Sequence, residues 1–507
     1  MILLFLHSAV VIAVAMRVLL RPNRDPAARA AWMLTLIVLP VAGVVAYAFL
    51  GETWIGRRRL ARLRQIEHRV SQIRPPTDTA LRDAGENDAG GAAALAAAHA
   101  GIFHVGHSIS GFAPTCGNRM DLMDDSNSAI DAMISDIDAA HDHVHVMFYI
   151  WADDRNGRRM AKALERAAAR GVVCRALADD IGSRRMIRSQ AWRDMARAGV
   201  RLAVAFRVGN PFLRLLINRI DLRNHRKIVV IDASITYCGS QNCADPEFVQ
   251  KAKYAPWVDV MMRIEGPVVA QNQRVFAVDW MESADEDLTQ VLTDQGATTA
   301  RDDRPQTPRM APPQAADTAI GHPREYTVAQ VVASGPTARP SAISEMFTSL
   351  IYAAQHELVI STPYYVPTEP LQSALCAAAN RGVAVTLVLP ARNDSHFVAA
   401  ASRSYYADLL GAGVRLLEYQ PGLLHAKTLT ADGQIGFIGS ANMDRRSFEL
   451  NYENNILFVG SETCAMLRER QDVFAADARL VTESMVKDWP MSRRIWQNLV
   501  SILGPVL

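Results

Sequence analysis

Cysteine is scarce in this chain, with six in 507 residues. Cys116, Cys174, Cys238, Cys243, Cys376 and Cys464 have neither zinc-type spacing nor the density of a disulfide framework, so the fold does not depend on an oxidising compartment. An excess of either charge is missing too. Basic residues number 54 and acidic ones 52, a formal net charge of +2. Such a balance lacks the bulk basic footprint of a nucleic-acid binder, and no nucleic-acid partner is expected. No basic stretch separates Met1 from the first apolar run, which argues against a secretory signal peptide. What the chain has is length and apolar content: half of it is hydrophobic. That exceeds one ordinary core, and two or more domains are expected.

Apolar residues concentrate at the N-terminus. Ala30–Leu50 holds 21 residues without a charge. At ~1.5 Å per residue this spans a ~30 Å hydrocarbon core, and membrane helices tolerate the interruption at Pro40. Ile2–Leu20 is apolar apart from His7 and Arg17. The expectation is a two-helix transmembrane hairpin, residues 1–55, in a membrane-embedded protein. Arg57, Arg58, Arg59, Arg62, Arg64 and Arg69 follow it, against Arg17, Arg21, Arg24 and Arg29 nearer the inter-helix loop. The positive-inside count leans towards a cytoplasmic body.

A basic and Ala-rich linker is expected over 56–100. A second linker, rich in Asp, Thr, Pro and Gln, is expected over 283–325. Between and beyond them, two stretches look alike. "LERAAARGVVCRALADD" (164–180) and "LCAAANRGVAVTLVLPA" (375–391) each read as a helix closed by Gly and then an apolar strand. Strand and helix patterns alternate in both halves, so 101–282 and 326–507 are expected to be two α/β domains packed as a pseudo-dimer. "HDHVH" puts His141, His143 and His145 on one face of a strand, where structural histidines are the expectation over a metal site. "PFLRLLINRI" (211–220) fits a membrane-docking or a core helix equally. "RRIWQNLVSILGPVL" (493–507) is expected to pack in the core.

The repeat carries chemistry. "LRNHRKIVVIDASITYCGSQN" (222–242) has its twin in "LLHAKTLTADGQIGFIGSANM" (423–443). His225, Lys227, Asp232, Gly239, Ser240 and Asn242 recur as His425, Lys427, Asp432, Gly439, Ser440 and Asn442, all displaced by 200 (425 − 225). On a strand, residues at i and i+2 share a face, so each His and Lys would project together. Asp232 and Asp432 fall at odd spacing from their histidines and are expected to support the motif strand. Two histidines and two lysines converging make a cationic pocket for a phosphate. One imidazole attacks phosphorus; the other moves the proton of the leaving and entering alcohols. The lysines stabilise the phosphoryl oxygens. Ser240, Asn242, Ser440 and Asn442 add neutral donors to hold phosphate. Nothing here requires a metal or another cofactor.

The doubled H-x-K-x4-D-x6-G-S-x-N pattern resembles that of the phospholipase D superfamily, over nearly the whole body from about Ala100. "FYIW" (148–151), "WVDVMMRIEGP" (257–267), "STPYYVP" (361–367) and "GSANMDRRSFELNYENN" (439–455) extend the match. With the hairpin first, the order of elements resembles the bacterial cardiolipin synthases of that superfamily. The resemblance implies two phospholipase D-like α/β sandwich domains with the site between them. It implies His225, Lys227, Asp232, His425, Lys427 and Asp432 as catalytic motif residues, with His225 as nucleophile. It assigns Asp259 and Glu453 to orienting the histidines. It also implies a bacterial inner-membrane, multi-pass enzyme that passes a phosphatidyl group between two phosphatidylglycerol molecules through a phosphohistidine, releasing glycerol. The alternatives are a phospholipase D or phosphatidyltransferase using water or another alcohol, and a membrane-tethered nuclease.

Overall fold

The computed structural model describes residues 2–21, 26–51, 56–73, 89–208, 221–298, 327–336, 339 and 341–502. Arg24, the 211–220 segment, 74–88 of the first expected linker, 299–325 of the second and 503–507 lie outside the described residues.

The first half contributes β1 (Thr115–Leu122), β2 (His143–Phe148), β3 (Val173–Asp179), β4 (Arg201–Ala205), β5 (Arg223–Asn224), β6 (Lys227–Ile231), β7 (Ile235–Gly239), β8 (Trp257–Val258) and β9 (Met261–Glu265). The second contributes β10 (Thr327–Ser334), β11 (Glu357–Ser361), β12 (Tyr365–Val366), β13 (Ala384–Pro390), β14 (Arg415–Tyr419), β15 (Leu423–Leu424), β16 (Thr428–Ala431), β17 (Ile435–Gly439), β18 (Met443–Asp444), β19 (Asn451–Val459) and β20 (Ala478–Leu480). From the outer edge of the first half the order is β4-β3-β2-β6-β7-β9-β1, and it continues as β10-β19-β17-β16-β11-β13-β14-β20. The antiparallel β1–β10 contact joins the halves edge to edge. β1, β10, β9 and β19 form the centre, and the flanking strands follow in corresponding order on either side. The two repeats thus build one sheet rather than two that merely touch.

Local sequence explains the units. Asp154 caps the helix Arg155–Ala169, accepting the N–H of Gly157 at 2.9 Å. Gly171 then turns the chain at φ +94° into β3, and Gly382, at φ +93°, does the same after the helix Glu369–Asn380. Both helix–Gly–strand expectations match this order. Helices cover both faces of the sheet. Val268–Ser283 and Ser461–Ala476 share a core drawn from both halves, including Phe276, Trp280, Leu467, Ile228, Ile438 and Phe458.

Two expected boundaries move. The stretch from 283 is not a linker throughout: helix Thr289–Thr298 follows, and Glu286 binds Arg175, Arg201 and the indole N–H of Trp280. Helix Ala100–Ser110, expected with the first domain, packs on the second, where Ile102, Phe103 and Ile109 join the core of Met346, Leu350 and Leu358. Its burial partners decide its place, not its position along the chain.

At the N-terminus, helix Ile2–Leu20 packs on Pro26–Val38 and Pro40–Leu50 through Val18, Trp32, Leu36 and Tyr47. Pro40 divides the expected second span. Among the described residues no helix is long and apolar enough to cross a membrane. The bundle nonetheless exposes Phe5, Ile12, Leu34, Ile37, Val41 and Val45. Three of the arginines that favour a cytoplasmic body are engaged: Arg59 with Glu282, Arg62 with Asp285 and Arg69 with Asp287. These ion pairs tie helix Arg57–Ser71 to the body.

Candidate active site

The motifs do not lie on unbroken strands. His225 and Arg226 occupy a break between β5 and β6, and His425–Lys427 a break between β15 and β16. The unbroken strand assumed for the shared face of His and Lys is therefore absent, although His225 and Lys227 both meet the Tyr149 ring. They are joined another way: Lys227 Nζ donates to the carbonyl of His225 at 2.6 Å, and Lys427 Nζ to that of His425 at 2.5 Å.

At each break one half reaches into the other. β5 pairs in parallel with β19, Asn224 opposite Tyr452, and the His225 N–H donates to Tyr452 O at 2.9 Å. β15 pairs in parallel with β8, Leu424 opposite Val258, and the His425 N–H donates to Val258 O at 2.8 Å. The next residues after those paired positions are Glu453 and Asp259. The carboxylates consequently meet the histidines crosswise: His225 Nδ1 lies 2.9 Å from Glu453 Oε2, and His425 Nδ1 2.6 Å from Asp259 Oδ1. Neither half alone completes a histidine–carboxylate pair.

The serines act on these carboxylates. Ser240 Oγ donates to Asp259 Oδ1 at 2.6 Å and accepts the Val260 N–H at 3.0 Å. Ser440 Oγ donates to Glu453 Oε2 and accepts the Asn454 N–H at 2.9 Å. A hydroxyl has one proton. Both are committed, which corrects the expectation that Ser240 and Ser440 donate to phosphate. Asn242 Oδ1 accepts the Ile150 N–H at 3.2 Å, while Asn442 Oδ1 is buried without a partner among the described residues. No hydrogen bond from the asparagine side-chain N–H groups is seen among the described residues.

Sequence reasoning passed over several groups. Ser447 Oγ and Asn451 Nδ2 also donate to Glu453, at 2.8 and 3.1 Å. Tyr149 meets His225 edge-on at 4.9 Å, and Trp257 packs on His425 at 4.7 Å. All four lie within the stretches that extend the match, but spacing alone does not say that they converge.

Asp232 and Asp432 are remote from the imidazoles. Each sits just past its motif strand at positive φ, 48° and 53°. Asp232 accepts the backbone N–H groups of His141, Asp142 and His143; Asp432 accepts those of Gln355, His356 and Glu357. Each carboxylate fixes the start of the neighbouring strand, β2 or β11. The histidine triplet divides: His141 is exposed, while His143 and His145 stack at 4.6 Å beneath helix Val268–Ser283. Among the described residues no group of three or more metal-ligating side chains is arranged to hold an ion.

The site is dry. His225 exposes 7% of its surface and His425 3%. Burial and the lysines outweigh Glu453, and His225 falls to about 4. Burial lowers His425 in the same way against the pull of Asp259. Lys227 drops to about 8 and Lys427 to about 7, chiefly through burial. Burial works to raise Asp259 and Glu453, but the facing histidine, lysine and hydroxyl prevail and both carboxyls sit below their ordinary range. The resting site thus pairs neutral imidazoles with carboxylates, beside ammonium groups ready to lose their protons. A cavity of about 550 Å³ lies behind the first motif with Arg226 and Tyr452 in its wall; neither histidine lines it.

The sequence profile described as "Cardiolipin synthase, PLD-like domain" matches residues 133–280 and 347–474, which hold both motifs. The chain belongs to that family. Cardiolipin synthase A of Edwardsiella ictaluri is 33% identical, over 99% of this chain and 98% of that protein. Cardiolipin synthase A of Erwinia tasmaniensis is 34% identical, over 99% of this chain and 96% of that protein. A second profile, "Phospholipase_D-nuclease N-terminal", matches residues 9–52, the helical hairpin. The crystal structure of phosphatidylserine synthase from Haemophilus influenzae shares the fold at a TM-score of 0.57 and 13% identity, covering 80% of this chain and 99% of that one.

Proposed function

We propose that this family member is a membrane-anchored cardiolipin synthase, a phosphatidyltransferase that joins two phosphatidylglycerol molecules and releases glycerol. The crossed histidine–carboxylate pairs carry the reading, together with family relatives that match over the full length. Glu453 holds Nδ1 of His225 and leaves Nε2 to attack phosphorus, breaking the bond to glycerol oxygen as the phosphohistidine forms. His425 gives its proton to that oxygen. A hydroxyl of the second phosphatidylglycerol then attacks phosphorus, passes its proton back to His425 and breaks the P–N bond. Substrate phosphate beside His425 favours the imidazolium that the first step needs. Lys227 and Lys427, with the side-chain N–H groups of Asn242 and Asn442, meet the phosphoryl oxygens. The burial of both histidines favours transfer to a lipid hydroxyl over hydrolysis. The N-terminal hairpin, with its exposed apolar faces, anchors the enzyme in the bacterial membrane.

Purified enzyme given radiolabelled phosphatidylglycerol should yield cardiolipin and glycerol in equal amounts, resolved by thin-layer chromatography. Phosphatidic acid as the main product would overturn the transferase reading. Two in-line displacements predict net retention at a chiral phosphorothioate, and inversion would exclude the covalent intermediate.

The lysines give the site a pH signature. In the free protein they lie near 8 and 7. A bound anion restores them towards the ordinary lysine value, about 10.4. Above pH 8 anion binding should therefore take up protons and weaken as pH rises. Calorimetry with sulfate, which does not titrate in this range, should show an enthalpy that differs between two buffers in the direction of uptake. Buffer-independent enthalpy or proton release would refute the assignment.

A further inference from the structure

The C-terminal helix is unlike the core element expected from its sequence. Only Gln497 and Val500 of helix Met491–Ile502 are buried. Met491, Ile495, Leu499 and Ile502 recur at steps of four, four and three, which places them along one face. All four are exposed, Met491 to 75% and Ile502 to 65%, and Trp496 beside them is half-exposed. Phe397, also half-exposed, lies 6.1 Å from the Trp496 ring and carries the patch onto helix His396–Ser404. The helix holds no acidic residue; Arg494 is exposed beside the apolar face, while the Arg493 guanidinium lies over the Trp489 ring at 4.0 Å on the body side.

The patch lies on the half that carries the second motif. Val500 packs with Val366, Ala400 and Ala401. Val366 belongs to β12, which pairs with β18, directly after Asn442. Helix His396–Ser404 follows Asp394, which binds the Tyr364 hydroxyl and Lys251 of the other half. Through these contacts the helix rests on the second motif's side of the inter-half cleft.

We propose that helix Met491–Ile502 and Phe397 form a bilayer-contact surface that seats the mouth of the active site on anionic lipid. This rests on the functional reading above, since the substrate is itself a bilayer lipid. An apolar face with an aromatic side chain, a flanking arginine and no acidic residue has the make-up of an interfacial helix. Arg494 complements the phosphates of phosphatidylglycerol. It also opposes the main rival occupant, a second copy, because an isologous contact through this short helix would bring the Arg494 side chains of both chains together. The 299–326 segment is a poor cover for the patch, being rich in Asp, Arg, Pro and Thr.

The test uses the full chain reconstituted in phosphatidylglycerol vesicles. Leu499→Glu should slow turnover of vesicle lipid at least tenfold and leave turnover of monomeric dihexanoyl phosphatidylglycerol within twofold. Brominated phosphatidylglycerol should quench a tryptophan component that Trp496→Phe removes, and this readout needs no activity. Equal loss on both substrates, unaltered vesicle turnover, an unquenched Trp496, or a dimer that Leu499→Glu dissociates would each overturn the proposal. Should the wild type process neither lipid while Trp496 is still quenched, the functional reading falls and the surface stands.

Discussion

Replacing His225 with alanine should abolish turnover, while replacing His425 should leave half of the reaction intact when the leaving group needs no proton. Glycerol leaves as a strongly basic alkoxide unless an acid protonates it, and general acid catalysis is worth about 10² to 10⁴-fold. A phosphatidyl ester of p-nitrophenol removes that requirement. His425→Ala should release one equivalent of p-nitrophenol per protein at close to the wild-type rate and then stall, because nothing deprotonates the acceptor. His225→Ala should release none, since the nucleophile is gone. Acid-stopped His425→Ala should carry phosphatidyl label in an acid-labile bond. The geometry allows either imidazole to be the nucleophile, and burial and the lysines lower both. A burst from His225→Ala and none from His425→Ala would reverse the assignment, and no burst from either would remove the covalent step.

Much of this was legible because the gene carries its pattern twice. The helix–Gly–strand units and the motif letters recur at matching places, and the fold repeats strand for strand. Asp232 and Asp432 were expected to tie the motif strand to neighbouring backbone, and their carboxylates do accept the strand-initial N–H groups of β2 and β11, although the parity behind that expectation assumed an unbroken strand. Other features were hidden for physical reasons. The strand breaks at His225 and His425 arise from pairing with the opposite half, so no local propensity encodes them. The destination of the Ser240 and Ser440 protons depends on residues 19 and 13 positions away in sequence. Helix Ala100–Ser110 and helix Met491–Ile502 were misplaced because apolar periodicity gives a helix a buried or lipid-facing side without naming what covers it.

Because each carboxylate serves the other half's histidine, the two should separate in an experiment that the sequence order would not suggest. Glu453→Gln keeps shape but removes the charge that holds the His225 tautomer and stabilises positive charge on the ring as phosphorus is bonded. Loss of the corresponding carboxylate in a histidine-centred triad costs about 10⁴-fold in kcat. A fall of about 10³ to 10⁴-fold is expected for Glu453→Gln with either phosphatidylglycerol or the p-nitrophenyl ester, since both require attack by His225. Asp259→Asn should cost a similar factor with phosphatidylglycerol. With the p-nitrophenyl ester it should spare the burst, because His425 is not needed to expel p-nitrophenol. Asp259 lies in the first half with His225, and Glu453 in the second with His425. If each acid served the histidine of its own half, the phenotypes would exchange: Asp259→Asn would lose the burst and Glu453→Gln would keep it. Burst amplitudes of the two variants, measured beside His225→Ala and His425→Ala, therefore test the crossed wiring directly. Matching defects within the pairs His225/Glu453 and His425/Asp259, with double variants no worse than the more damaged single one, are what the 2.9 Å and 2.6 Å contacts require.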